Sequence, residues 1–562
     1  MNSQRETIER RMGRSALTWL ATLPLVFYTG VLILSDSFGP ETPLKERPII
    51  LVLALFLAAF AVYLIAIPVA IRCTRDRRLV WTILVTSLVF RLLLLPSTPI
   101  QEVDIYRYLW DGVTTCAGIS PFHYTPLEIR NTDPQDEVDE DLARLADLSQ
   151  SKPELGRVLQ HVHHPRLPTV YPPVSQAVFA AAAWTTPAGA TVEQRMLVMK
   201  FWLLLFDMTT LGLILWLLKL TGRPLGLGII YGWCPLVMKE FANSGHLDAV
   251  AVCLTTLAVC LAVRLMLVRS NSATWMAAAA SIILALAVGA KLYPVVLFPL
   301  VMLAIGRQVR WHAVIPAIVF CAATALVLAP MLVSRQARHP IHSSDLPQTI
   351  GQPAAGLKAF LTRWEMNDFL FLIVIENVKT ADVRGDQTAW FSIVPESFRE
   401  RAIAQIPKRY VADRWGAAFL VSRCPTLIAF AAITVWLFGR SVRRPAVTVW
   451  LEAAFLTLAW FWLLSPTLNP WYWTWALPLL PFARNRAWLA VSGLVLIYYM
   501  RFWYIYHFPD THVPGTQYIG AAFFDLVVTW VEFGPWFVFL FGTWLYRKRV
   551  HTRTCSAGEL NV

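Results

Sequence analysis

Long apolar stretches separated by short polar breaks dominate this chain of 562 residues. A helix needs about 20 apolar residues to cross the hydrocarbon core of a bilayer, where every backbone polar group must be paired internally. Stretches that meet or approach this length lie at residues 15–34, 49–71, 80–97, 195–220, 225–240, 246–268, 273–290, 295–306, 311–333, 416–438, 445–465, 471–483, 487–505 and 520–546. The pattern predicts an all-α polytopic membrane protein, one integral membrane domain over residues 1–562 with about 14 transmembrane helices.

Three apolar stretches are short for a full span. Residues 295–306 and 471–483 are expected to insert partially or with a tilt. The Ala-rich stretch 174–190 is expected to lie along the external face or partway into it.

Two long polar segments, residues 98–194 and 334–415, interrupt the apolar pattern. Basic residues collect beside the apolar stretches, and the largest clusters are Arg72, Arg75, Arg77, Arg78, Arg440, Arg443, Arg444, Arg547, Lys548 and Arg549. Because cytoplasmic loops carry an excess of Lys and Arg, these clusters place both termini in the cytoplasm and both long segments outside. We therefore expect a multi-pass protein of the cell (inner) membrane with two long extracytoplasmic loops.

Composition supports this class. Hydrophobic residues make up 56% of the chain and charged residues 15%, unlike a soluble domain. The net charge is +13, but the clustering of basic residues beside apolar stretches indicates topology signals, and no nucleic-acid partner is expected. The eight cysteines show no spacing typical of a disulfide framework or a metal site.

The segment from Glu102 to Gly112, directly after the third apolar stretch, carries the densest candidate chemistry. On a helix, Asp104, Arg107 and Asp111 share one face and apolar residues share another, which predicts a helix lying at the bilayer surface. An alternative is that Arg107 bridges the two carboxylates and only orders the helix.

A second group closes the same external segment. Prolines around Tyr171 predict a stiff, extended return to the membrane. Metal binding by His161, His163 and His164 is an alternative suggested by their clustering.

Three further groups lie at the predicted external ends of apolar stretches. His246 and Asp248 are expected to face inward, or else to cap a helix. Lys291 is placed to hold a lipid phosphate at headgroup level, or else snorkels to the interface. Asn469 precedes Trp471, Tyr472 and Trp473, whose alternative role is an interfacial aromatic belt. All five groups map to one side, which predicts a single external site.

At these residues the chain resembles the GT-C superfamily of membrane glycosyltransferases, and in particular the polyprenyl-phosphate-mannose-dependent mannosyltransferases of glycosyltransferase family 87 and their relatives. The matching elements are residues 104–112, His164-Pro165, Tyr171-Pro172-Pro173, Gly245-His246-Leu247-Asp248, Lys291-Leu292-Tyr293-Pro294 and Asn469-Pro470-Trp471-Tyr472. The resemblance covers residues 80–300 and 445–480, whereas residues 334–415 match no part of the family pattern.

The resemblance implies a GT-C-type fold, an acidic motif in the first external loop and a lipid-linked sugar donor. The motif here is Glu102-Val103-Asp104, whereas many relatives place the two acids at adjacent positions. It further implies inverting transfer of a sugar, with mannose indicated, from a polyprenyl-phosphate donor to a glycan or lipid-linked acceptor on the extracytoplasmic face.

Glycosyl transfer needs a base for the acceptor hydroxyl and cationic or dipolar partners for the leaving phosphate. On this hypothesis Asp104 is the catalytic base, and Glu102 assists it or holds a divalent cation, the one cofactor left open. Lys291, His246 and Arg501 would face the lipid phosphate. The supporting residues are Arg107, Asp111, Tyr171, His246, Asp248 and Asn469.

Two alternatives remain beside this hypothesis. One is a GT-C transferase that uses another lipid-phosphate sugar. The other is a non-catalytic lipid or glycan transporter, for which the candidate charges along a membrane path are Lys200, Asp207, Glu452 and Asp525, although Asp207 or Glu452 would equally pair within the helix bundle. In either case residues 334–415 are suited to form a lid or an acceptor platform.

Overall fold

The structure is a computed structural model that describes residues 2–72, 77–135, 139–267, 273–333, 364–407, 411 and 413–558. Of residues 2–14, 77, 311 and 547–558 only the backbone is described. Arg75 of the first basic cluster and residues 334–363 of the second long segment lie outside the described residues. The chain is 76% helical, and the described residues contain no β-strand, which confirms the prediction of an all-α polytopic membrane protein.

The helices up to residue 332 range from single turns to long apolar rods. They are α1 (Asn2–Ser35), α2 (Ile49–Arg72), α3 (Arg77–Leu94), α4 (Asp104–Cys116), α5 (Pro126–Asn131), α6 (Glu140–Ser151), α7 (Pro153–Gln160), α8 (Pro173–Thr185), α9 (Val192–Leu220), α10 (Ile229–Gly232), α11 (Pro235–Val237), α12 (Asp248–Leu267), α13 (Ala273–Ala290), α14 (Phe298–Val309) and α15 (Val314–Leu332).

The helices of the remaining chain begin at residue 370. They are α16 (Leu370–Glu376), α17 (Ala381–Arg384), α18 (Glu396–Ala404), α19 (Arg414–Arg443), α20 (Val447–Leu463), α21 (Pro470–Trp473), α22 (Trp488–Leu494), α23 (Met500–His507), α24 (Gly520–Phe523) and α25 (Thr529–Gly558).

The chain divides into two compact units. The first unit consists of residues Met1–Gly39, Ile65–Trp233 and Val237–Trp364, and the second of Pro40–Leu64, Cys234–Leu236 and Glu365–Val562. In the described part of the chain, nine helical stretches are long and apolar enough to cross a membrane, and two shorter apolar helices, Tyr293–Val309 and Val447–Leu463, add to them. The count of 14 crossings and the GT-C-type fold stay predictions.

The prediction of a regular span at 225–240 is wrong in detail, and the short stretch 471–483 is likewise not one continuous helix. Residues 225–243 form a series of short pieces that ends in a π-helix, Met238–Asn243. Residues 471–483 form one helical turn followed by the 3₁₀ helix Leu477–Phe482. Glycines and Pro235 interrupt the first stretch and Pro478 and Pro481 interrupt the second, because neither residue type sustains a regular helix interior.

A buried ion pair joins α3 and α9 inside the first unit. Arg91 Nη2 lies 3.2 Å from Asp207 Oδ1, and both side chains are fully buried. The Tyr231 hydroxyl donates to Asp207 Oδ1 at 2.7 Å, and Arg91 Nη1 donates to the Gly232 carbonyl at 2.9 Å. Pairing of Asp207 within the bundle is therefore confirmed, with a partner, Arg91, that the sequence analysis did not identify.

Candidate functional site

The acidic motif lies at the amino-terminal end of α4, in the first unit. Glu102 Oε1 accepts hydrogen bonds from the backbone amides of Val103 at 3.1 Å and Asp104 at 3.2 Å. These amides belong to the first turn, where helical N–H groups lack partners within the helix. The carboxylate of Glu102 thus caps α4 and fixes the start of this helix at Asp104.

Helix α4 is held against α8 at very close range. A Cβ atom added at Gly112 would lie 2.4 Å from the carbonyl oxygen of Phe179. Tyr108, one turn earlier, stacks on Phe179 with ring centroids 4.6 Å apart. The glycine of the acidic motif is therefore required for packing, and the predicted surface helix is buried along most of its length.

His246 lies between two carboxylates of the same unit. Its Nε2 atom is 3.5 Å from Glu102 Oε2 and 3.2 Å from Glu240 Oε2, and its side chain is 1% exposed. Its backbone amide donates to the Glu240 carbonyl at 2.9 Å. Gly245, with φ +69°, makes the sharp turn that precedes it, and a Cβ there would lie 3.2 Å from Ile105 Cδ1 of α4.

The charges of this trio shift its pKa values in opposite directions. Burial alone lowers the pKa of His246, but Glu102 and Glu240 outweigh it and raise that pKa to about 9. Burial alone raises the pKa of Glu102, but the His246 charge outweighs it and brings that pKa below its usual value. His246 precedes the apolar helix α12, so the trio lies outside the long spans. The raised pKa makes His246 an imidazolium between the carboxylates of Glu102 and Glu240.

Asp104 has a different environment from Glu102. Its carboxyl lies close to the Tyr171 hydroxyl, and its side chain is partly buried. Burial and the nearby Glu102 charge raise the pKa of Asp104, against smaller opposing effects of His246 and Tyr171. Of the two acids, Asp104 is therefore the one whose pKa is raised.

Arg107 holds the segment that carries Tyr171. Its Nη2 donates to the carbonyls of His163, His164 and Leu167, each at 3.1 Å. Asp111 accepts instead from Gln176 Nε2 at 3.1 Å, and the Thr169 side chain lies nearby. Among the described residues, the hydrogen bonds of Arg107 go to carbonyls and to neither Asp104 nor Asp111, so the alternative of a bridge between two carboxylates is wrong.

Lys291 forms an ion pair with Asp248. Its Nζ lies 2.8 Å and 2.7 Å from the two carboxylate oxygens, and 17% of the lysine side chain is exposed while Asp248 is buried. The pairing joins the end of α13 to the start of α12. The sequence analysis placed both residues at the site but did not foresee that they bind each other.

The clustered histidines have other partners. His161 stacks on Tyr106 with ring centroids 5.0 Å apart, and the ring centroids of His163 and His164 lie 3.8 Å apart. Burial and the charges of His163 and Arg107 lower the pKa of His164 to about 4. Over the described ranges, no group of three or more His, Cys, Asp or Glu side chains is arranged to hold a metal ion.

Asn469 and Arg501 belong to the second unit. Arg501 pairs with Asp525 through two contacts of 2.8 and 2.9 Å. Asn469 is 3% exposed and begins α21. Trp471, Tyr472 and Trp473 are all less than 10% exposed, so the alternative of a lipid-facing aromatic belt is wrong for these rings.

The sequence analysis missed Glu240 and its neighbour Lys239. Lys239 Nζ donates to Ser244 Oγ at 2.6 Å, and both charged side chains are buried. A Lys-Glu pair inside the apolar stretch 225–240 was the available signal, because charges at such positions are costly unless they have a function or a partner.

No protein-family model, curated protein or solved structure matches the chain.

Proposed function

We propose that the protein is an inverting glycosyltransferase of the GT-C type. It would move a sugar, with mannose as the first candidate, from a polyprenyl-phosphate donor to a glycan or lipid-linked acceptor. The reaction would take place on the extracytoplasmic face of the cell membrane, with both termini in the cytoplasm. The observation that carries the proposal is the partly buried Asp104 carboxyl, which lies close to Tyr171 and beside the Glu102–His246 pair.

In the proposed step, the Asp104 carboxylate removes the proton of the acceptor hydroxyl. The hydroxyl oxygen forms a bond to the anomeric carbon while the bond from that carbon to the phosphate oxygen breaks. The electron pair leaves on the phosphate, which departs as polyprenyl phosphate. A single displacement inverts the anomeric carbon. A base works best when its pKa lies near the working pH, and the raised pKa of Asp104 acts in that direction.

Glu102 and His246 would act through Asp104. The Glu102 carboxylate faces His246 and the helix amides, so its charge fixes the position of Asp104 and raises the pKa of that neighbour. His246 is enclosed between two carboxylates, which supports a positioning role over a direct contact with the lipid phosphate.

Lys291 is the better candidate for the leaving phosphate in the first unit. Its ammonium is partly exposed, and the Asp248 carboxylate fixes its position. A cation placed at developing phosphate charge stabilises the transition state. A role of Arg501 at the lipid phosphate stays a prediction, and its guanidinium is held by Asp525.

The four charged residues considered for a membrane path give little support to the transporter alternative. Asp207 pairs with Arg91, Glu452 with Arg440 at 2.6 Å, and Asp525 with Arg501. Lys200 Nζ donates to the Ser97 carbonyl at 2.6 Å. Each of the four candidate path residues thus has a local partner, as a structural role requires.

The test is transfer of radiolabelled sugar by the purified protein from a panel of polyprenyl-phosphate donors to membrane extracts. We expect labelled product from one donor, with an anomeric configuration opposite to that of the donor in NMR spectra. Retained configuration would overturn the single displacement. Absence of product from every donor would shift the proposal to a transporter.

A further inference from the structure

A loop of the second unit exposes large apolar side chains outside the membrane-spanning stretches. This apolar loop, residues 387–395, lies between Asp386 and Glu396 and carries no charge. It contains no helix and is not part of a span. Trp390 is nevertheless 58% exposed and Ile393 84%. Apolar surface gathered in one place, unlike a single exposed residue, indicates that something covers it.

Asn377 holds the backbone of the apolar loop from inside the second unit. Its Oδ1 accepts hydrogen bonds from the backbone amides of Ile393 at 2.8 Å and Val394 at 3.1 Å. Its Nδ2 donates to the Phe391 carbonyl at 3.2 Å. Backbone groups that are paired within the protein leave water at little cost, which is the condition for contact with a bilayer.

Arg399, which is 2% exposed, fixes the same loop from its carboxyl-terminal side. Its Nε donates to the Val394 carbonyl and its Nη2 to Ser392 Oγ, each at 2.7 Å. Its Nη1 donates at 2.8 Å to the carbonyls of Glu376 and Lys379. The Ser392 hydroxyl in turn donates to the Glu376 carbonyl at 2.9 Å. A fixed backbone therefore presents the exposed side chains of the loop.

The apolar loop is attached to the stretch Gly520–Tyr546, which is long and apolar enough to cross a membrane. Trp390 Nε1 donates to the Leu526 carbonyl at 2.8 Å, and the Trp390 ring lies on that of Trp530 with centroids 4.8 Å apart. At 1.5 Å per residue, Leu526 lies about 9 Å along this stretch from Gly520. The contact thus falls within the first turns of a span.

We propose that the apolar loop inserts into the bilayer at the boundary between headgroups and acyl chains, beside the stretch Gly520–Tyr546. The indole of Trp390 is an apolar ring with one N–H group, the combination that favours this boundary. Ile393 reaches the acyl chains, which remove its apolar surface from water. The partner is a phospholipid surface, because the loop is bonded to a stretch suited to cross that surface. The insertion is independent of the transfer reaction proposed above.

The test places the photoreactive residue p-benzoylphenylalanine at position 393 of the full-length protein in phosphatidylcholine nanodiscs. Irradiation attaches its benzophenone to C–H bonds that it contacts, and mass spectrometry measures the phospholipid adducts. Position 531 is the positive control, because Val531 lies in the span and is 65% exposed. Position 386 is the matched control next to the loop, because Asp386 is exposed and charged.

We expect phospholipid adducts at position 393 about as often as at position 531, and at least about tenfold more often than at position 386, since an inserted side chain contacts acyl C–H bonds. Adducts at position 393 that are no more frequent than at position 386 would overturn the proposal. Crosslinks from position 393 to a second copy of the chain in place of lipid would overturn it as well.

If the protein with p-benzoylphenylalanine at position 393 does not fold, the conservative Ile393→Met replaces it, with ¹³C-labelled methionine methyl groups. The new methyl signal, identified by its absence from wild type, should be broadened by a doxyl-labelled phospholipid and not by a water-soluble gadolinium chelate. Broadening by the chelate with none by the labelled lipid would show that the loop lies in water and would refute the insertion.

Discussion

The Nε2 atom of His246 lies 3.5 Å from the Glu102 carboxylate and 3.2 Å from the Glu240 carboxylate. Glu102 in turn caps the helix that begins at Asp104. Glu240, in the π-helix Met238–Asn243, contacts His246, and His246 contacts Glu102. Glu102 in turn positions the proposed base, Asp104.

The first prediction concerns pH and stability. The pKa of folded His246 is about 9, above the ordinary value of 6.5. Its stabilising contribution is therefore complete below pH 6.5 and is lost as the pH rises through 9, a change of about 3 kcal/mol at most. We expect thermal unfolding of wild type to shift to lower temperature over this interval.

The matched variants for this prediction are His246→Gln and His512→Gln, of which the second alters an exposed histidine. His246→Gln should unfold at a lower temperature at pH 6 and lose most of the pH dependence, whereas His512→Gln should follow wild type. An unchanged pH dependence in His246→Gln would contradict the buried imidazolium.

The second prediction concerns Glu240. Glu240→Gln keeps the shape but removes one of the two charges that raise the pKa of His246. NMR titration of ¹⁵N-labelled histidine should show that pKa moving from about 9 toward the ordinary 6.5. Transfer should fall because Glu102 and Asp104 lose their fixed position, with the larger effect on kcat. An unaltered pKa of His246 would show that Glu240 does not hold the charge of this imidazole.

The third prediction concerns Arg107, which donates to three carbonyls from one nitrogen. Arg107→Met keeps a long side chain but removes every N–H group that donates to these carbonyls. We expect faster amide hydrogen exchange over residues 163–171 and slower transfer. Exchange over α19 (Arg414–Arg443), which belongs to the second unit, is the internal reference. Equal exchange in both proteins would show that Arg107 does not order this segment.

The fourth prediction concerns the contact of α4 with α8. Gly112→Ala places a methyl group 2.4 Å from the Phe179 carbonyl and should destabilise the protein by about 1–3 kcal/mol. Gly212→Ala is the control, because a Cβ at Gly212 meets nothing within 4 Å. Thermal unfolding of the two variants should differ clearly, and equal unfolding temperatures would contradict the close approach.

The sequence alone was sufficient for the helical class and for part of the site. The period of apolar residues around Asp104 predicted a helix, and the structure has one at Asp104–Cys116. Asp104, Arg107 and Asp111 were found because their spacing places them on one face of that helix.

The partners of the charged residues were not predictable from the sequence. Asp248 with Lys291 and Glu102 with His246 join segments far apart in the chain, and apolar periodicity specifies which face is buried but not which charges meet there. The breaks at 225–243 were missed because apolar content was read as a regular span although glycines and a proline interrupt it.

The most direct test of the central claim is the transfer rate of Asp104→Asn against wild type, with the donor identified from the panel. Asp147→Asn, an exposed change in α6 of the same segment 98–194, is the matched control, and equal thermal unfolding temperatures verify the fold. We predict that Asp104→Asn loses transfer by at least about a hundredfold, as expected for removal of a general base, while Asp147→Asn keeps the wild-type rate. A folded Asp104→Asn protein that transfers sugar at the wild-type rate would contradict the assignment of Asp104 as the base.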